Sequence, residues 1–112
     1  MTDKILTELK AARALLENPK SWGKMSYAVD GQGNDVDATD PGAVCFCMLG
    51  ALQRAAGNTD WTHSPATLFL GHYVPDTGFI STFNDDPDTT HEDVLAVFDK
   101  AIAAASDPSK RL

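Results

Sequence analysis

No stretch of this chain is apolar for the roughly 18 residues that a membrane helix needs. The N-terminus, MTDKILTELKAARALLENP, carries a charge every few residues, so neither a membrane span nor a secretory signal is expected. Basic residues are few, nine Lys and Arg against sixteen Asp and Glu. The net charge of −7 argues against nonspecific binding to nucleic acid or to anionic membranes, because both require basic patches that neutralise phosphate. Cysteine is scarce: only Cys45 and Cys47 occur, too close in sequence to frame a disulfide. Free thiols in an apolar run suit a reducing, cytoplasmic setting. The chain has no P-loop, GxGxxG, GxSxG or HExxH, and no cofactor is expected. The three histidines (63, 72, 91) and the C-x-C pair lack the spacing of zinc sites. The aspartates at 30, 35, 37 and 40 do not follow the EF-hand pattern and read as turn residues, so no metal is expected.

What is present suits one soluble domain spanning residues 1–112, with a polar tail at about 106–112. Hydrophobic residues make up 43% of the chain and charged residues 22%, enough for a core without disulfides or metal. Ile5, Leu6, Leu9, Ala12, Leu15 and Leu16 recur at helical spacing, predicting a helix over 3–18 that is capped by Thr2 or Asp3 and stopped at Pro19. Met25, Tyr27 and Val29 alternate with polar or small residues before DGQGN, predicting a small hairpin that returns at Val36. DPGAV reads as a helix start, with Asp40 as N-cap and Pro41 at N1, and the helix runs to Ala56 before Gly57 and Asn58. Ser64 and Pro65 open a short helix whose Leu68 and Phe69 face inward. PDTG (75–78) is a β-turn, and Phe79, Ile80 and Phe83 form a helical turn. Thr90 can cap the Asp93 amide at the start of a last helix over 90–105, and Thr89 with Glu92 offers a capping box in the adjacent register. The expected fold is mostly α, with a minor β part (α+β). It comprises a compact bundle of about three main helices, short helical turns and a two-stranded hairpin. Helix 41–56 is its centre, packed on helices 3–18 and 90–105.

The most apolar stretch, CFCMLGAL (45–52), admits two readings. A reactive thiol needs a cation or a helix N-terminus nearby. In a helix that starts at Asp40 both cysteines lie too deep for that and become core residues. A thiol hydrolase would instead use Cys47 with His91, oriented by Asn84 or Asp85. Gly50, inside an apolar helix, predicts the close approach of another backbone.

CMLGAL (47–52), followed by FNDDPDTTHEDVLAVFDKAI (83–102), resembles a family of small bacterial and phage-encoded domains of unknown function. Those domains carry a Cys-x-x-Gly-Ala-Leu helix, an aromatic-Asn-Asp turn and a Thr that opens a final helix. SWGKMSYAVDGQGNDVDATDPGAV (21–44) is similar to their Trp, hairpin and Asp-Pro segment. The resemblance implies roles for Trp22, Cys47, Asn84 and Asp85, and brings no activity with it.

The leading functional expectation is a non-enzymatic accessory or inhibitor-like domain. It would bind a protein partner with a basic surface through Asn84, Asp85, His91 and Trp22. The alternatives are the Cys47–His91 hydrolase and a small-molecule or nucleotide-binding module near Lys20, Lys24 and Arg54. Asp85 is expected to accept backbone N–H groups of its own turn, and the acidic run around His91 to sit at the positive end of the last helix.

Overall fold

The computed structural model describes residues 4–57, 64–75 and 79–107. Among these residues there are five helices: α1 Lys4–Leu15, α2 Met48–Ala56, α3 Pro65–Gly71, α4 Ile80–Asp85 and α5 His91–Ala105. The strands β1 Ala28–Asp30 and β2 Ala43–Phe46 pair antiparallel, and a 3-10 turn lies at Pro19–Ser21. The fold is mostly helical with a small β part. The expected caps at Thr2 and Asp3, Asn58, most of the PDTG turn and the end of the tail lie outside the described residues.

Helix α1 places Leu9 and Ala12 in the core, and Leu16 joins them from the turn that follows. It packs against α2, α3 and α5, while α2 packs against α1, α3 and α4, so the two helices share the centre; the last helix packs mainly on α1 and α3 rather than on α2 as expected. Helix α3 begins as its sequence dictates: Ser64 accepts the Thr67 amide, and Pro65 costs no hydrogen bond at N1. Its inward face is Ala66, Thr67 and Leu70, whereas Leu68 is exposed and Phe69 half-buried. Helix α5 starts with a reciprocal capping box between Thr90 and Asp93, so the Thr89–Glu92 register is not the one used. Val94, Phe98, Ala101 and Ala105 line its buried face, flanked by Val97 and Ala104. No helix among the described residues is long and apolar enough to cross a membrane.

The largest departure is at residues 40–47. Asp40-Pro41-Gly42-Ala43 closes a turn: the Ala43 amide donates to the Asp40 carbonyl (3.0 Å), and the Asp40 side chain accepts the Gly42 amide (2.7 Å). Pro favours the second position of such a turn as readily as N1 of a helix, and Asp favours the first. Tertiary pairing decides between them. Ala43 and Phe46 are buried and Val44 is exposed, and the register slips between Val29 and Asp30 so that Val44 is the extra, unpaired residue of a bulge. The hairpin is therefore wide. Ala28 pairs with Phe46 and Val29 with Cys45, while Asp35 and Val36 make only a bridge to Val29 and a single bond to the Ala28 carbonyl. Arg54 of α2 pins the intervening loop by donating to the Ala38 and Asp40 carbonyls (3.1 and 2.7 Å).

Candidate functional site

With β2 ending at Phe46, Cys47 becomes the N-cap of α2 instead of a residue deep inside a helix. Its thiol accepts the Gly50 amide at 3.3 Å, satisfying one of the donors a helix N-terminus leaves open. The Cys47 amide donates to the Tyr27 carbonyl, which crosses directly over the first turn of α2. That crossing explains Gly50. A Cβ at this position would overlap the Tyr27 carbonyl oxygen and lie 2.7 Å from its carbon. The close backbone approach expected at Gly50 is present, but the partner is Tyr27, in the segment leading into β1, rather than a helix.

Asn84, in α4, is 1% exposed and fully used. Its Oδ1 accepts Trp22 Nε1–H (2.8 Å) and the Met48 amide (3.0 Å), the latter another open donor of α2. Its Nδ2 donates to the Gly23 carbonyl (3.1 Å) and to Asp85 Oδ1 (3.0 Å). One amide side chain thus joins the Trp22–Gly23 segment, the start of α2 and α4. Asp85 Oδ1 also accepts the Met25 amide at 2.9 Å. The backbone group it satisfies is therefore 60 residues away, and the expected bond to its own turn is replaced by this one. Asp86 Oδ1 serves the turn by accepting the Asp88 amide (2.8 Å).

Met25 is the backbone oddity of the site. It has φ 72°, the one positive value outside glycine among the described residues, and its side chain projects into solvent with the residue 79% exposed. Behind it lies a cleft of about 180 Å³. Met25, Tyr27 and Leu49 line the cleft on its apolar side, and Cys47, Ser81 and Asp85 supply polar atoms. Burial raises the Cys47 thiol above its ordinary value, and the nearby Asp85 charge adds to the rise. Burial likewise raises Cys45.

Trp22, Cys47, Asn84 and Asp85 thus come together. His91 meets this group at the Trp22 ring, 6.2 Å between centroids, and its Nε2 lies 2.6 Å from the Leu16 carbonyl. It is not among the residues lining the cleft. Lys24 lies over the Trp22 ring and donates to the Asp86 carbonyl (2.6 Å). Lys24 and Arg54 therefore end on carbonyls of different loops. A wider groove of about 560 Å³, lined by His72, Tyr73, Phe83, Val97 and Lys100 among others, opens between the end of α3, α4 and α5.

The profile of a family of unknown function, DUF6197, matches residues 1–104, nearly the whole chain. The chain belongs to this family. No curated protein and no solved structure matches it. Within this DUF6197 domain, the residues that carried the resemblance have structural duties: Cys47 caps α2, Gly50 admits the Tyr27 carbonyl, Asn84 ties three segments and Thr90 caps α5. The sequence missed Met25, Tyr27, Leu49 and Ser81. Their alternation or helical spacing signalled only secondary structure, and methionine carries no signal for a positive φ.

Proposed function

We propose that this chain is a binding domain without chemistry of its own, an acidic accessory or inhibitor-like protein whose partner is a protein with a basic surface. The observation that carries this reading is Met25. A non-glycine residue held at positive φ costs about 1–3 kcal/mol and persists only where its surroundings over-determine it. Here the Asp85–Met25 bond and the Asn84–Gly23 bond hold the segment. The result is an apolar side chain presented to water beside a carboxylate, with half-exposed Tyr27 next to it. Flexible, exposed Met and amphipathic Tyr are residues that contact surfaces favour, and the net charge of −7 would steer a basic partner toward them.

The test uses immobilised wild type and a Met25→Asp/Tyr27→Asp variant, presented with proteins from the source cell. A basic protein retained by the wild type, lost from the variant and associating more slowly as salt rises supports the reading. A complex that is indifferent to both the variant and the salt removes it.

The hydrolase reading has one observation in its favour: Cys47 at a helix N-terminus, lining a cleft beside Asn84. Against it, burial and Asp85 raise the thiol, and His91 faces Leu16 and Trp22. Rapid alkylation of native Cys47 at neutral pH, abolished in His91→Ala, would reinstate it. The small-molecule reading, expected near Lys20, Lys24 and Arg54, would have to move to the wider groove, which none of the three lines but whose volume falls in the range of about 300–1,000 Å³ usual for such sites.

A further inference from the structure

We infer that the cleft behind Met25 is a socket for one arginine side chain of the protein partner, with Asp85 as its counter-charge. The inference rests on the binding reading above and names the group that the face recognises.

Size limits the occupant. About 180 Å³ falls below the roughly 300 Å³ at which small-molecule pockets begin. It suits a single side chain inserted from a neighbouring surface. The lining dictates its character. Met25, Tyr27 and Leu49 present apolar surface suited to a methylene stem, and Tyr27 also offers an aromatic face to a cation. Asp85 spends Oδ1 on the Met25 amide and on Asn84, and its Oδ2 has no partner among the described residues. The Ser81 hydroxyl, on the exposed side of α4, likewise has none among them and can accept a second N–H. A guanidinium matches two acceptors with a planar fork and is more weakly hydrated than an ammonium, so it enters a half-buried, largely apolar cleft at lower desolvation cost than lysine. Lys24, next to Met25 in sequence, is folded onto Trp22 and the Asp86 carbonyl and does not line the cleft.

The same contacts explain the loop. The Asp85 oxygen that is already spent holds Met25 in its strained conformation. The carboxylate thereby fixes the mouth of the cleft with one oxygen and leaves the other for the ligand, a preorganisation that reduces the ordering cost of binding.

The experiment titrates Nα-acetyl-arginine amide into isotopically labelled protein carrying Cys45→Ser, in parallel with the lysine and citrulline analogues. Amide shifts are mapped, and alkylation of Cys47 by iodoacetamide is followed by mass spectrometry. The expected result is that the arginine compound shifts the Met25, Leu49, Ser81 and Asp85 amides and slows Cys47 alkylation, and that the neutral citrulline analogue does neither. Asp85→Asn keeps an acceptor for the Met25 amide but loses the charge, and should weaken binding about tenfold, as expected for a charged hydrogen bond. Ser81→Phe, at an exposed position, should block the cleft while the melting temperature stays near wild type. Equal shifts from arginine and citrulline, equal affinity for lysine and arginine, or shifts that map elsewhere would each overturn the socket. A partner complex lost in the Met25/Tyr27 variant yet unchanged in Asp85→Asn would leave the binding face standing and remove the arginine assignment.

Discussion

Gly50 shows how one absent side chain sets a local structure. The Tyr27 carbonyl occupies the space where any Cβ would sit, and the Cys47 amide donates to that same carbonyl. Alanine normally gains about 1 kcal/mol over glycine inside a helix. Here overpacking costs about 1–3 kcal/mol, against backbone that cannot swing aside as a side chain can. Thermal melts should therefore show Gly50→Ala less stable than wild type, and an unchanged or higher melting temperature would mean the strand is free to move. Asn84 is the opposite case, a side chain with no unused atom. Asn84→Ala leaves Trp22 Nε1, the Met48 amide and the Gly23 carbonyl without their partner. Each unsatisfied buried group costs about 1–3 kcal/mol, so denaturant unfolding should report a loss of about 3 kcal/mol or more. A loss below about 1 kcal/mol would show that water replaces the amide without penalty.

At the scale of elements, capping governs where structure begins. Thr90 and Ser64 act as their sequence contexts announce, because the acceptor and the amide it serves are three residues apart and need nothing distant. Helix α2 is different. Its first turn is closed by Cys47 from within and by Asn84 from 36 residues away, and the latter tie exists only in the folded chain. The loop after β1 is again local: Asp30 Oδ1 accepts the Gln32 and Asn34 amides at 2.9 Å each. These bonds favour the carboxylate and lower its pKa from the ordinary 3.8, the Asn34 amide contributing most. A depressed folded pKa contributes stability that is complete above the unfolded value and lost as pH falls through the folded one. Wild type should therefore melt above Asp30→Ala at neutral pH, with the gap closing as the solution is acidified below about pH 4. A gap that is constant down to pH 2 would assign the effect to packing.

For the whole molecule, charge is the dominant feature. With sixteen acidic residues against nine basic ones, the excess negative charges repel one another in the compact state, and salt screens that repulsion beyond about 8–10 Å near physiological ionic strength. The specific ion pairs of Arg13 with Glu17 and Asp99 oppose the trend only weakly, because exposed pairs contribute about 0–1 kcal/mol. The melting temperature should thus rise between about 10 and 300 mM sodium chloride, over which the Debye length shortens several-fold. A fall would show that ion pairing outweighs net repulsion.

The helices α1, α3, α4 and α5 were legible because hydrophobic burial needs only a periodic face to act on, and α3 and α5 add side-chain caps within three residues. Membership of a family of unknown function was also expected from the sequence, and the family profile matches residues 1–104. The character of DPGAVCFC was not legible, since Asp-Pro-Gly begins a turn and a helix equally well. Only pairing of 43–46 with 28–30 selected the strand and moved Cys47 to the helix start. The candidate site belongs to that second class. Trp22, Met25, Cys47, Asn84 and Asp85 lie in segments up to 63 residues apart, as the Trp22 and Asp85 numbering shows. Tertiary hydrogen bonds rather than any local preference hold them together, and those bonds alone set Met25 at positive φ and open the cleft behind it.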